Sequence, residues 1–270
     1  MSIGNTATRI IVSVIAIPAI VLVSYFGEYY FFAFVLGIGI ISYYEFWLFV
    51  KNKDINANLI IGIISVGVII ANSYKSFIAY YPLLIIILFL LTIIELFRNK
   101  NSAIINLGTT LLGILYFGLF ASALISIREI YQVDYAQGGL LIISIFASIW
   151  ICDSAAFFGG TALGKHKLFP RVSPKKSWEG AIFGLLFAVI AMVISKLIVL
   201  DFLSWLDIIA IGLIVGTIGQ IGDLIESLFK RDAGVKDSSA LIPGHGGIFD
   251  RFDSLLYTAP AVLLYIKYLS

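Results

Sequence analysis

The chain has 270 residues, 60% of them apolar and only 13% charged, with a mean hydropathy of +1.03. That balance lies far outside the range of a water-soluble domain and means that lipid is the main solvent. A formal net charge of +2 is too small to suggest nucleic-acid binding, and the lone Cys152 excludes a disulfide framework or a cysteine-built metal site, leaving it as a small buried apolar residue.

A membrane-spanning helix needs about 20 mainly apolar residues. Segments 10–26, 30–50, 55–71, 77–97 and 107–127 meet this description in the first half, and 138–163 (interrupted by Asp153), 181–200, 203–221 and 255–269 in the second. The expectation is an all-α, polytopic membrane protein with about nine spans, some short or broken enough to be half-helices or tilted segments packed inside the protein. The first segment, after Arg9, contains Pro18 and is followed by the bulky Gly27-Glu28-Tyr29-Tyr30, so it reads as a membrane helix and not as a cleaved secretory signal.

With nine spans and the N-terminus in the cytoplasm, 14 of the 18 Lys and Arg residues fall on the cytoplasmic side, which is the bias that orients membrane proteins. The same orientation puts both long polar segments, 164–180 and 222–254, in the cytoplasm, where nucleotides are found. Residues 1–137 read as membrane scaffold. Ten of the 16 acidic residues lie between Asp153 and Asp253, so chemistry is expected in residues 138–270. Glu45 and Glu95, near the ends of their spans, read as interfacial.

Asp153 sits inside an apolar run, where an ionisable group is costly unless it is paired, binds an ion or meets water, so it should face a polar cavity. Gly159, Gly160 and Gly164 follow it and permit close approach of backbone or an irregular turn where the helix reaches the cytoplasm. In Ser173-Pro174-Lys175-Lys176-Ser177-Trp178-Glu179-Gly180, Ser173 as helix cap and Pro174 as first helical residue predict a helix start. Its free N–H groups, the two lysines and Ser177 would cradle phosphate, with a plain basic juxtamembrane loop as the alternative.

A helix continuing from Leu203 past Gly222 places Asp223, Glu226, Ser227 and Lys230 on one face. Asp250 and Asp253, three apart, flank Arg251 at the start of the last helix. Carboxylates arriving from two helices suit a hard, oxygen-ligated cation such as Mg²⁺. Lys230, Arg231, Lys236 and Arg251 would carry phosphate charge. Between these helices, Pro243, Gly244, Gly246 and Gly247 surround His245, a candidate phosphate contact or proton donor as well as a candidate structural hydrogen-bonding residue.

At these residues the chain resembles the phosphatidate cytidylyltransferase (CDP-diglyceride synthase) family. The motif stands here as Ser227, Phe229, Lys230-Arg231, Lys236-Asp237, Pro243, His245-Gly246-Gly247, Asp250-Arg251 and Asp253, without a gap. The likeness extends upstream to Asp153-Ser154 and to the segment from Ser173 to Trp178, where family members often have Thr at the place of Ser177. The resemblance implies an all-helical enzyme of the inner (plasma) membrane, often a homodimer, that uses CTP and phosphatidic acid with Mg²⁺, for which Mn²⁺ substitutes, and allows a second, monovalent cation such as K⁺. By the same resemblance Asp223 and Asp250 correspond to metal-binding carboxylates, with Asp153, Glu226 and Asp253 as further ligands or their supports. Lys176, Lys230 and His245 would then serve the reaction, and Ser173, Lys175, Ser177, Ser227, Arg231, Lys236, Asp237 and Arg251 the substrates. Two rival expectations are a CTP-dependent polyprenol kinase, which would move the γ-phosphoryl group, and a cation transporter, which would spread polar residues through the membrane depth.

Overall fold

A computed structural model describes residues 5–239 and 246–270. These form nine helical rods: α1 Asn5–Phe26, α2 Glu28–Lys51, α3 Leu59–Lys75, α4 Tyr80–Arg98, α5 Ala103–Arg128, α6 Tyr135–Leu163, α7 Trp178–Ile198, α8 Trp205–Asp232 and α9 Phe249–Tyr268. A two-stranded antiparallel hairpin, β1 Lys167–Phe169 and β2 Ser173–Ser177, sits between α6 and α7. Among the described residues six rods, α2 and α4 to α8, are long and apolar enough to cross a membrane, and the protein is a multi-pass membrane protein.

The helix starts are chemically marked: Asn58 and Ser102 accept from Ile61 N and Ile105 N, and Ser204 forms a capping box with Asp207. Two rods contain π-helical turns, Ile114–Leu119 in α5 and Val215–Gly219 in α8, the second lying directly before Gln220 and Asp223. Helix α6 runs through Asp153 and through Gly159-Gly160 without a break, and of the two uses expected of these glycines the fold shows close approach, since a Cβ at Gly180 would stand 3.0 Å from Gly160 Cα. The expected third span starts late, at Leu59, because Asn58 caps it.

The α6–α7 contact is close because small residues line it, as is usual where lipid supplies no hydrophobic drive between helices. A Cβ at Gly180 would stand 2.7 Å from the Ala156 carbonyl oxygen, and one at Gly184 would stand 3.1 Å from Cys152 Sγ. Cys152 is buried there, as its apolar surroundings predict.

Contacts between loops sort the rod ends into two groups. At one end Lys53 pairs with Asp232, Asn101 donates to Asp54 O, Asn56 N donates to Asn106 and Arg231 donates to Val172 O in the hairpin. At the other, buried Arg128 donates to Ser24 O, Tyr25 O and Tyr135 O, Tyr131 packs on Phe202, and Tyr265 and Ser270 donate to Asp207. This is the arrangement expected if each rod runs from one end to the other.

Candidate active site

The polar residues of the second half converge on one cavity of about 480 Å³ at the hairpin end of the rods. Its charged lining comes from four places: Asp153 on α6; Lys175 and Lys176 on β2; Asp223, Glu226 and Lys230 on α8, with Asp237 just beyond it; and Asp250, Arg251 and Asp253 on α9. Six carboxylates thus face four cationic side chains.

Three of these acids form a tighter cluster, in which one oxygen from each of Asp223, Glu226 and Asp253 lies within 4.8 Å of the others. Asp223 and Glu226 are one helical turn apart, and Asp253 reaches them from α9, which packs closely enough that a Cβ at Gly222 would stand 2.9 Å from Asp253 O. Glu226 is 1% exposed, and neither of its oxygens accepts a well-aligned hydrogen bond, although Lys230 Nζ is 2.7 Å from Oε2. A buried carboxylate with unfilled lone pairs is expensive. A hard divalent cation, which takes carboxylate oxygens, would fill them and offset the excess of negative lining charge. The donor set fits such an ion.

Asp250 is engaged elsewhere. Its Oδ1 is 2.7 Å from Lys230 Nζ, and its Oδ2 accepts from Ser238 N (2.8 Å), Ser238 Oγ (2.7 Å) and Gly247 N (2.8 Å). The trio that the fold brings together holds Asp223 without Asp250, whose carboxylate stands beside Glu226 and shares Lys230 with it, and Asp153 lines the same cavity. Lys230 bridges Glu226 and Asp250 at 2.7 Å each, and Lys176 Nζ lies 2.5 Å from Asp223 Oδ2.

The hairpin corrects one sequence expectation. Ser173 does not cap a helix and Pro174 does not begin one; both belong to β2, and the cap of α7 is Ser177, whose Oγ accepts from Gly180 N at 3.2 Å. Pro174 biases Ser173 toward extended backbone, and its own fixed φ is compatible with an edge strand. The strand brings Lys175, Lys176 and Ser177 to the cavity, whereas Ser173 lies outside its lining.

On α8 the expected face is present in Asp223, Glu226 and Lys230, but Ser227 is not part of the lining. Arg231 turns to the hairpin, its Nε donating to Val172 O at 3.3 Å, and Lys236 is exposed outside the cavity. His245, with Pro243 and Gly244, lies outside the described residues.

The sequence does not show the roles of three residues. Gln220 lines the cavity and donates to Ala181 O at 3.0 Å. Glu45, near the end of α2, is 1% exposed and holds the segment that leads into α9, and Glu95, near the end of α4, is likewise buried, bonded to Arg98 and Asn106. The signal for Glu45 was present: a carboxylate within an apolar helix needs a partner, wherever in the chain it lies.

Residues 7–269 match the model of the Cytidylyltransferase family. The chain belongs to that family. A relative over nearly its whole length is the phosphatidate cytidylyltransferase of Bacillus subtilis (strain 168), 32% identical over 258 residues, which are 93% of this chain and 94% of that protein. The Haemophilus influenzae phosphatidate cytidylyltransferase is 43% identical over 146 residues, 52% of this chain and 51% of that one. The Staphylococcus aureus (strain COL) phosphatidate cytidylyltransferase is 41% identical over 147 residues, 53% of this chain and 56% of that one. These last two alignments span about half the length of the relatives concerned. Membership of the cytidylyltransferase family implies use of a divalent metal, and the acidic trio is a group able to hold one.

Proposed function

We propose that this chain is a phosphatidate cytidylyltransferase, transferring the cytidylyl group of CTP to phosphatidic acid to give CDP-diacylglycerol and pyrophosphate. The observation that carries this reading is the mixed cavity, in which a buried acidic trio faces Lys175, Lys176, Lys230 and Arg251 beside the membrane helices. The relative covered over 94% of its length bears that name.

In the reaction an oxygen of the lipid phosphate attacks the α-phosphorus of CTP, the bond from that phosphorus to the oxygen bridging to the β-phosphate breaks, and pyrophosphate leaves with the electron pair. The attacking phosphate is already ionised at neutral pH, so positioning and charge neutralisation matter more than a general base. Asp223, Glu226 and Asp253 would hold a Mg²⁺ ion, which when bound would supply charge neutralisation to the phosphates. Lys175, Lys176 and Arg251 take the remaining phosphate charge, and Lys230 keeps Glu226 and Asp250 in place. Asp153, on a membrane helix, keeps the cavity polar where the lipid headgroup enters sideways while its tails stay in the bilayer. All nine rods cross the membrane, and the hairpin end faces the cytoplasm, since the basic residues favour that side.

The test is an assay in lipid vesicles with phosphatidic acid, Mg²⁺ and CTP radiolabelled at either the α- or the γ-phosphorus. Lipid label from the α position that disappears on chelation of Mg²⁺ is the expected result. Label from the γ position alone would make the enzyme a lipid kinase, and label from neither would refute the reading.

A further inference from the structure

Glu45 stands in α2, in the half of the chain that otherwise provides scaffold, and its carboxylate receives four hydrogen bonds from residues 193 to 204 positions later. Oε2 accepts from Ser238 Oγ (2.8 Å) and Phe249 N (2.8 Å); Oε1 accepts from Ser239 Oγ (2.6 Å) and Ile248 N (3.0 Å). All four donors are neutral, and they lie on both sides of the stretch that ends in α9.

Two further facts give this contact a purpose. The first turn of α9 has no cap of its own, since Ile248 occupies the capping position and offers no side-chain oxygen, so Glu45 caps the helix from another rod. Ser238 also touches Asp250: its N–H donates to Oδ2, and its single hydroxyl proton is shared between Asp250 Oδ2 and Glu45 Oε2, so the group that Glu45 fixes in turn fixes Asp250. No side chain fits at Gly247, because a Cβ there would run into the Ser238 hydroxyl and both Glu45 oxygens.

We propose that Glu45 is a positioning residue of the reaction: by closing the loop ends and capping α9 it holds Asp250 against Lys230 and Asp253 within the carboxylate trio. This rests on the trio being the metal site of the function proposed above. It assigns a role to the first half of the chain that the motif does not contain.

The experiment uses purified full-length protein in detergent, without CTP or lipid, so that failure of cytidylyl transfer and failure of this assignment are seen separately. Binding of Mn²⁺ alone is followed by the loss of the free-ion paramagnetic resonance signal, and amide exchange is followed in the peptide covering Ile248 and Phe249. Glu45→Gln, which turns two acceptor sites into donors facing donors, is expected to weaken Mn²⁺ binding about tenfold or more, as loss of a ligand-orienting partner does, and to speed exchange at both amides. Glu95→Gln, which alters an equally enclosed carboxylate bonded to Arg98 and Asn106, is expected to lower thermal stability and change neither readout. Should Glu45→Gln fail to fold, Ser238→Ala takes its place, with a smaller loss in the same direction. Unchanged Mn²⁺ affinity and exchange in the folded variant, or an equal change in Glu95→Gln, would overturn the assignment.

Discussion

Lys176 Nζ lies 2.5 Å from Asp223 Oδ2, joining strand β2 to helix α8 across 47 residues of sequence through one ion pair on the cavity wall. The lysine neutralises a carboxylate of the proposed metal trio, so lysine and metal compete for the same carboxylate. It also stands where a phosphate would draw it away. Its removal should therefore act in opposite directions on two quantities. Lys176→Gln is expected to tighten binding of Mn²⁺ alone while lowering the cytidylyl transfer rate by about a hundredfold, the scale of one lost charge-stabilising group. Metal titration and a turnover assay on the same preparation check this; weaker metal binding in the variant would contradict it.

Among the described residues Lys230 is the one cation paired with two carboxylates, 2.7 Å from both Glu226 and Asp250, and its side chain is only 13% exposed. Removing one partner of a buried charged network leaves the others uncompensated, at a cost of about 3–5 kcal/mol. Lys230→Met should thus lower the melting temperature in detergent sharply as well as abolish transfer. Lys230→Arg keeps the charge and should retain most of the stability while losing activity, because the planar guanidinium cannot reproduce the lysine geometry. Equal stability of the Met variant and the parent would show that the pair carries no structural load.

Ser177 caps α7 directly after Lys176, so the cap and the lysine proposed to bind phosphate share a backbone. Ser177→Ala should cost about 1 kcal/mol of stability, typical of a lost cap, and reduce turnover through misplacement of Lys176. Ser177→Thr keeps the acceptor oxygen and should restore both. Thermal melts and initial rates on the pair of variants test the link; an Ala variant with full stability and full activity would remove it.

Much of this arrangement is legible in the sequence because membrane solvation makes it so. Apolar runs mark the rods, and the dense charges after Asp153 mark the cavity, since charge beside lipid is costly without a partner. The spacing of Asp223, Glu226 and Lys230 predicts their common face correctly, because α8 stays helical past its π turn. What sequence spacing does not carry is the pairing between distant elements. The resemblance makes Asp250 a metal-binding carboxylate, and sequence spacing does not show that Ser238, Gly247 and Lys230 also bond its oxygens. Nothing near Glu45 in the sequence names its partners, which lie some two hundred residues away. The start of α7 was misplaced for a local reason: Ser173-Pro174 and Ser177 are both plausible helix starts, and antiparallel pairing with β1 selects the second.

The α6–α7 seam can be tested through the only cysteine in the chain. Cys152 is 2% exposed, and its Sγ would lie 3.1 Å from a Cβ placed at Gly184. Gly180 is tighter still, since there the obstacle is the backbone of Ala156, which cannot rotate away as a side chain can. Both helices carry site residues, Asp153 on α6 and the capped start of α7 beside Lys176, so separating them should disturb the cavity as well as the packing. Gly180→Val is therefore expected to cost about 1–3 kcal/mol from overpacking and to lower transfer activity. In the parent protein Cys152 should react with a maleimide only slowly, and in the Gly180→Val variant the rate should rise as the seam opens. The change at position 180 does not touch the cysteine directly, so faster labelling would report movement of the whole helix pair. Labelling as slow as in the parent, with activity intact, would mean that the seam tolerates a larger residue and that the glycine is not what sets the helix separation.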